Sequence, residues 1–141
     1  MIFITVMNNV RFATALHILT LHYYMKDEML TSDLIAGSMN VNAAIIRKEL
    51  SNLRKHGLIT SKEGKGGGTA LAKSAKEIRL SDIYNAVRQT SPLGKKNTPN
   101  PACPVGKQIN AELDIVYNDV EAAMIKKLSA ITLAAFCKPI K

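Results

Sequence analysis

The stretch from Asn42 to Ala72 constrains this chain more than any other. Asn42 can cap a helix running to about His56, with Ile46, Leu50 and Leu53 on one face at spacings of four and three. Gly57 then stops it, because glycine takes the left-handed conformation that ends helices without a steric penalty. Leu58-Ile59-Thr60 reads as a short strand, Glu63-Gly64-Lys65-Gly66-Gly67-Gly68 as a tight turn, and Thr69-Ala70-Leu71-Ala72 as the returning strand. A helix followed so closely by a glycine-tipped hairpin is compatible with few architectures.

The flanking segments narrow the choice. Residues 9–25 read as a helix with a broad apolar face (Val10, Ala13, Leu16, Ile18, Leu21, Tyr24), capped by Asn8 or Asn9. After the polar break 25–28, Thr31 or Ser32 caps a short helix, Asp33–Met39, and Asn40-Val41-Asn42 forms a turn. Helix, turn, helix and hairpin in this order predict a mainly α (α+β) chain built as a winged helix-turn-helix. Ser81 can cap a further helix over 81–89.

Residues 91–104 hold four of the five prolines, with Gly94, Lys95 and Lys96, and predict a mobile loop. A long helix over 106–128 follows. Its Ile109, Leu113, Val116 and Val120 repeat at 4-3-4, the spacing of a seam between paired helices; Ala123 or Met124, then Lys127 or Leu128, carry the phase on. Ser129 restarts a last helix, Ile131–Phe136. The expected organisation is a winged head over 1–90, a loop over 91–105 and a helical dimerisation region over 106–137.

Charge points to the partner. The chain has 141 residues, with nineteen Lys and Arg against eleven Asp and Glu, a net charge of +8. Such an excess favours a polyanion, with nucleic acid ahead of an anionic membrane surface. From Met39 to Arg79 there are nine cations (Arg47, Lys48, Arg54, Lys55, Lys62, Lys65, Lys73, Lys76, Arg79) against three acids, Glu49, Glu63 and Glu77. Three quarters of the surplus therefore sits between Met39 and Arg79, the stretch that holds the third helix and the hairpin, where phosphates of a duplex would have to be neutralised.

Several classes drop out. No apolar run approaches the roughly 18 residues that span a bilayer. Met1–Val6 is apolar but short and lacks the features of a signal peptide, so the cytoplasm is the default. With Met7 beside it, residues 1–6 are either an arm or the product of an upstream start codon. Two cysteines, Cys103 and Cys137, are too few for a disulfide framework. No paired carboxylates, nucleophile with a matched base, or metal-ligand cluster suggests an enzyme.

Three stretches resemble the Rrf family of bacterial winged-helix regulators. They are Arg11-Phe12-Ala13-Thr14-Ala15-Leu16, then Ile46-Arg47-Lys48 with Leu50, Leu53, Arg54, Lys55, Gly57 and Leu58, and finally Gly64-Lys65-Gly66-Gly67-Gly68 with Leu71 and Glu77-Ile78-Arg79-Leu80-Ser81-Asp82-Ile83. The resemblance implies a homodimeric transcriptional regulator on double-stranded DNA, its two heads in successive major grooves and its wings at the minor groove.

The residues themselves supply the chemistry. Thr31, Ser32 and the amides that open the second helix can hold a phosphate. Asn42, Ala43, Ala44 and Arg47 occupy the first turns of the third helix, where base edges are reached, and Lys48 should meet phosphate. Lys65 is the candidate for the minor groove, with Gly66, Gly67 and Gly68 allowing close backbone approach. Arg11 is a further phosphate candidate. The plain alternatives are a helix cap for Asn42, small surface residues at Ala43 and Ala44, and a mere hairpin turn for the glycines.

Cluster-binding members of the family carry three cysteines in and around the loop before the long helix, where this chain has Cys103 alone. No cofactor is therefore expected and an iron–sulfur cluster least of all. Cys103, at the start of the long helix and near Lys95, Lys96 and Lys107, is either a redox switch for an oxidant or small-molecule effector or an inert thiol. The leading expectation is a repressor on a palindromic operator. The alternative is a winged-helix module for protein interaction, which steep salt and sequence dependence of duplex binding would exclude.

Overall fold

The computed structural model describes residues 10–141; the proposed arm at 1–6 and the caps Asn8 and Asn9 lie outside it. Eight elements follow in order: α1 (Arg11–Tyr24), α2 (Ser32–Met39), α3 (Ala43–Lys55), β1 (Ile59–Lys62), β2 (Gly68–Leu71), α4 (Leu80–Val87), α5 (Pro104–Ser129) and α6 (Leu133–Cys137). This is the winged helix-turn-helix with a long C-terminal helix.

Local chemistry accounts for most boundaries. Thr31 caps α2 by accepting from Leu34 N at 3.1 Å, and Asn42 caps α3 by accepting from Ala44 N at 2.7 Å. Asn40, with φ 54°, closes α2 in the left-handed conformation, and Gly57, with φ 74°, turns the chain out of α3. The strands β1 and β2 pair antiparallel, Ile59 opposite Leu71 and Lys62 opposite Gly68.

Four expectations need correction. Ser81 does not cap α4: Arg79 N–H donates to the Asp82 carboxylate at 2.9 Å, one residue pair earlier, because Arg79 is drawn into a bridge with Thr132. Pro104 starts α5, since proline suits a first helical turn whose N–H has no partner anyway. Thr132 caps the last helix by accepting from Ala135 N, so that helix begins two residues later than the spacing suggested. The segment after α4 is strapped to α5 rather than hanging free. Lys96 pairs with Asp114 and lies over the Tyr117 ring, and Asn110 Nδ2 donates to Asn97 O at 2.9 Å.

The core lies inside the winged head. Ile18 and Leu19 of α1, Leu30, Ile35 of α2, Ile46 and Leu53 of α3, Leu58, Ile59, Ile78, Ile83 of α4 and Leu133 of α6 are all fully buried. By contrast, α5 has no buried residue along its 26 residues, about 39 Å of helix.

Two polar contacts set how α3 and the hairpin sit on this core. Glu49 of α3 is buried, and both its oxygens meet the Arg11 guanidinium of α1, at 3.1 and 3.2 Å. Asn52, one turn on, donates to Glu49 at 3.2 Å and to the Ala86 carbonyl of α4 at 2.8 Å. The helix is thus clasped from two sides. The second contact holds the wing. Leu30 and Thr69 exchange backbone hydrogen bonds of 2.9 and 2.8 Å, extending the hairpin by one bridge. Beneath it the buried His22 ring lies 2.8 Å from Ile18 O and 2.7 Å from Thr69 Oγ1. A carbonyl only accepts, so Nδ1 carries the proton; the single Thr69 hydroxyl proton is shared between His22 Nε2 at 2.7 Å and the Leu30 carbonyl at 3.1 Å.

Removing Arg11 strands a buried carboxylate, so Arg11→Ala is expected to lose about 2–3 kcal/mol in urea unfolding. A loss within experimental error would show that the pair does not hold α3. Burial lowers the His22 pKa, opposed more weakly by the hydrogen bond to Ile18. The unfolded chain therefore binds the extra proton first as pH drops below about 6.5. Stability is full above that pH and declines below it, through the lowered folded pKa. The difference in Tm between pH 7.5 and pH 5.5 is expected to shrink in His22→Gln; an unchanged difference would assign it to other groups.

Candidate nucleic-acid interface

The face opposite the core side of α3 is where the cations gather. Arg47, Lys48, Arg54 and Lys55 on α3 and Lys62 and Lys65 on the hairpin are all exposed. Lys73 and Lys76 are exposed elsewhere, beside Tyr23 and Ala134, and Arg79 donates to Ser129 O at 2.9 Å. Of the three acids in this stretch, Glu49 faces inward to Arg11, so its charge is withdrawn from the surface. The outward charge is accordingly more positive than the sequence count implies.

The helix sorts its residues by angle. Ile46, Glu49, Leu50 and Leu53 point inward, while Ala44, Ile45, Arg47, Lys48, Ser51, Arg54 and Lys55 are exposed. Ala43, expected at the base edges, is instead half-buried and packed on the core, because it lies one turn before Ile46 on the same face. Asn42 spends its side-chain oxygen on the cap, which leaves its amide NH₂ pointing away from that bond as a donor.

Between α3, the start of α2 and the wing runs a groove of about 530 Å³, to which Thr31, Ser32, Arg47, Ser51, Arg54 and Ser61 all contribute. Arg54 Nη1 donates to Ser61 Oγ at 2.9 Å and so ties α3 to β1 across it. Ser51 and Ser61 are absent from the residues singled out from sequence, and Arg54 figures there only among the cations and the residues of the family resemblance. The helical spacing 47-51-54 was a readable signal for Ser51 and Arg54; nothing local marks Ser61. Arg11, expected at phosphate, has its Nε and Nη2 committed to Glu49.

The glycines divide by role. Gly64 and Gly66 have φ near 87° and 75°, which makes the tip of the hairpin and exposes Lys65 between them. Gly67 and Gly68 are fixed by close approach: a Cβ would lie 2.2 Å from Lys62 O at the first and 2.6 Å from Leu30 O at the second. Packing within the wing is thus a sufficient reason for both.

The stalk and its strap meet α4 through one acidic residue. Glu121 of α5 pairs with Arg88 at 2.7 Å and accepts from the Tyr84 hydroxyl at 3.1 Å. On another side of α5, Ile109, Val116 and Val120 are exposed and Leu113 is half-buried.

The two thiols differ. Cys103 is exposed at the N-cap of α5, whereas Cys137 is buried against Thr20, 3.7 Å from its hydroxyl, and burial raises its pKa. Among the described residues no three His, Cys, Asp or Glu side chains come together to hold a metal. These donors do not fit an iron–sulfur cluster held by three cysteines of one chain. Among the described residues, no helix is long and apolar enough to cross a membrane.

Comparison with known proteins gives a consistent answer. The family model Rrf2, an iron-dependent transcriptional regulator, matches residues 8–139. The Bacillus subtilis (strain 168) HTH-type transcriptional regulator YwnA is 38% identical over 128 residues, which is 90% of this chain and 94% of that protein. A crystal structure described as that of a DNA binding protein has 35% identity and a TM-score of 0.73, covering 89% of this chain and 97% of its own. The global cysteine regulator CymR of B. subtilis, at 23% identity and a TM-score of 0.65, covers 93% of this chain and 95% of its own, and shares the fold. With its winged head, outward cationic helix and near full-length match, the chain belongs to the Rrf2 family of transcriptional regulators.

Proposed function

We propose that this chain is a homodimeric repressor that reads a palindromic operator with α3 and steadies itself with the wing. The observation that carries the reading is the outward face of α3, whose nearby acid is turned inward and neutralised by Arg11. Arg47 supplies the paired donors that suit guanine, and the Asn42 NH₂, its oxygen held by the cap, is a single donor for a purine N7. Lys48 and the groove bordered by Thr31, Ser32, Arg54 and Ser61 take backbone phosphates, and Lys65 follows the minor groove.

Two copies are required because a single head contacts one half-site. The unburied stripe Ile109, Leu113, Val116 and Val120 supports pairing through α5, since an apolar seam of this spacing gains by facing its own copy. Bound polymerase is then excluded sterically from the promoter. Cys103 is the thiol open to an oxidant. The Cys103 sulfur would attack one oxygen of hydrogen peroxide and break the O–O bond, and the thiol proton would leave with the other oxygen, giving a sulfenic acid and water. The buried Cys137 lacks that access.

Duplexes selected from a random pool test the first part. The wild type is expected to bind them with a steep loss of affinity as salt rises, and Lys48→Ala to lower the slope of log K against log salt by about 1. Equal binding to all duplexes, or no salt dependence, would contradict the repressor reading. For the effector, wild-type affinity for the selected duplex is expected to fall severalfold in peroxide while Cys103→Ser does not respond. A Cys103→Ser protein that responds as the wild type does would remove Cys103 as the switch.

A further inference from the structure

Two adjacent positions on the outward side of α3 are apolar. Ala44 is exposed, and Ile45 keeps 42% of its surface in solvent although it lies in the first turn of the helix. Ala44 suits an exposed helical position, whereas Ile45 is not explained by the fold. The core face of α3 is complete without them, in Ala43, Ile46, Leu50 and Leu53. Local propensity does not call for a β-branched residue at an exposed helical position, where alanine, lysine or glutamate would serve the helix better. Lys48 lies one turn on from both positions, and Arg47 lies one turn on from Ala44 alone.

A major groove offers one apolar feature, the 5-methyl group of a pyrimidine, carried by thymine and by methylated cytosine. Resting on the reading of α3 as the groove helix, we propose that Ala44 and Ile45 form a methyl-reading pair that requires a 5-methylpyrimidine at a fixed place in each half-site. Arg47 and Asn42 supply hydrogen bonds to neighbouring bases. The apolar pair supplies specificity of a different kind, by burying a methyl that the other bases lack. Ala44 leaves room for the base edge to approach the helix, and Ile45 covers its flank.

The test uses the full chain and its selected duplex. Each thymine in a half-site is replaced in turn by uracil, which pairs with adenine and lacks only the methyl. Wild-type affinity is expected to drop about fourfold at one or two positions, the effect of one buried methyl. Replacing thymine there by 5-methylcytosine opposite guanine, beside plain cytosine, separates the two sources of the methyl: the methylated base is expected to bind more tightly. Ile45→Ala keeps a strong helix former, and Ala44→Gly is checked for folding by circular dichroism. At the sensitive position at least one of the two variants is expected to bind thymine and uracil duplexes equally. Uracil tolerated at every position, with specific binding intact, would overturn the methyl reading alone. So would uracil sensitivity that survives in both variants. Absence of any duplex preference would overturn the DNA-binding reading and this inference with it.

Discussion

A buried carboxylate on the recognition helix governs how this molecule is arranged. Glu49 lies beside the apolar row of α3, and a charge there is tolerated only with a partner that meets both its oxygens. Arg11 provides that partner from the first turn of α1. The consequence reaches beyond stability. The pair sets the orientation of α3 against α1, while Asn52 sets it against α4, so the outward face is presented at one angle. It also withdraws one acid from the cationic face of α3, where the exposed Glu63 of the hairpin remains at the edge of the groove.

The wing is positioned by an equivalent device of neutral groups. The Leu30–Thr69 bridge, with His22 beneath it, fixes the hairpin to α1 and to the start of α2. Gly68 is needed there because the backbone of Leu30 approaches too closely for a side chain. The wing is therefore joined to the head by backbone and side-chain hydrogen bonds on the buried side of the hairpin. The stalk joins the head through Glu121, which grips Tyr84 and Arg88 of the same helix whose Ala86 carbonyl receives Asn52. A change in the strap or in α5 has a short physical route, through α4, to the recognition helix.

Much of this was legible in the sequence, for reasons that can be stated. Thr31, Asn42 and Gly57 act within a turn of themselves, and caps of that kind depend on local chemistry alone. The spacing of Ile46, Leu50 and Leu53 identified the buried face, and the 4-3-4 repeat after Cys103 identified the open stripe of α5. The failures were non-local. Whether Glu49 turns in or out depends on an arginine 38 positions away. Ser61 joins the candidate site only because the hairpin brings it to Arg54. Ser81 lost its cap role to a bridge that Arg79 forms with Thr132. Ala43 is the local exception: three residues before Ile46, its own helical phase placed it on the core.

The account depends on two heads acting together on one duplex. Sedimentation of the purified chain, alone and with the selected duplex, measures that directly. The account predicts a dimer in dilute solution and two chains per duplex. A monomer that binds as one chain per duplex, or a dimer that ignores the selected sequence, would contradict it.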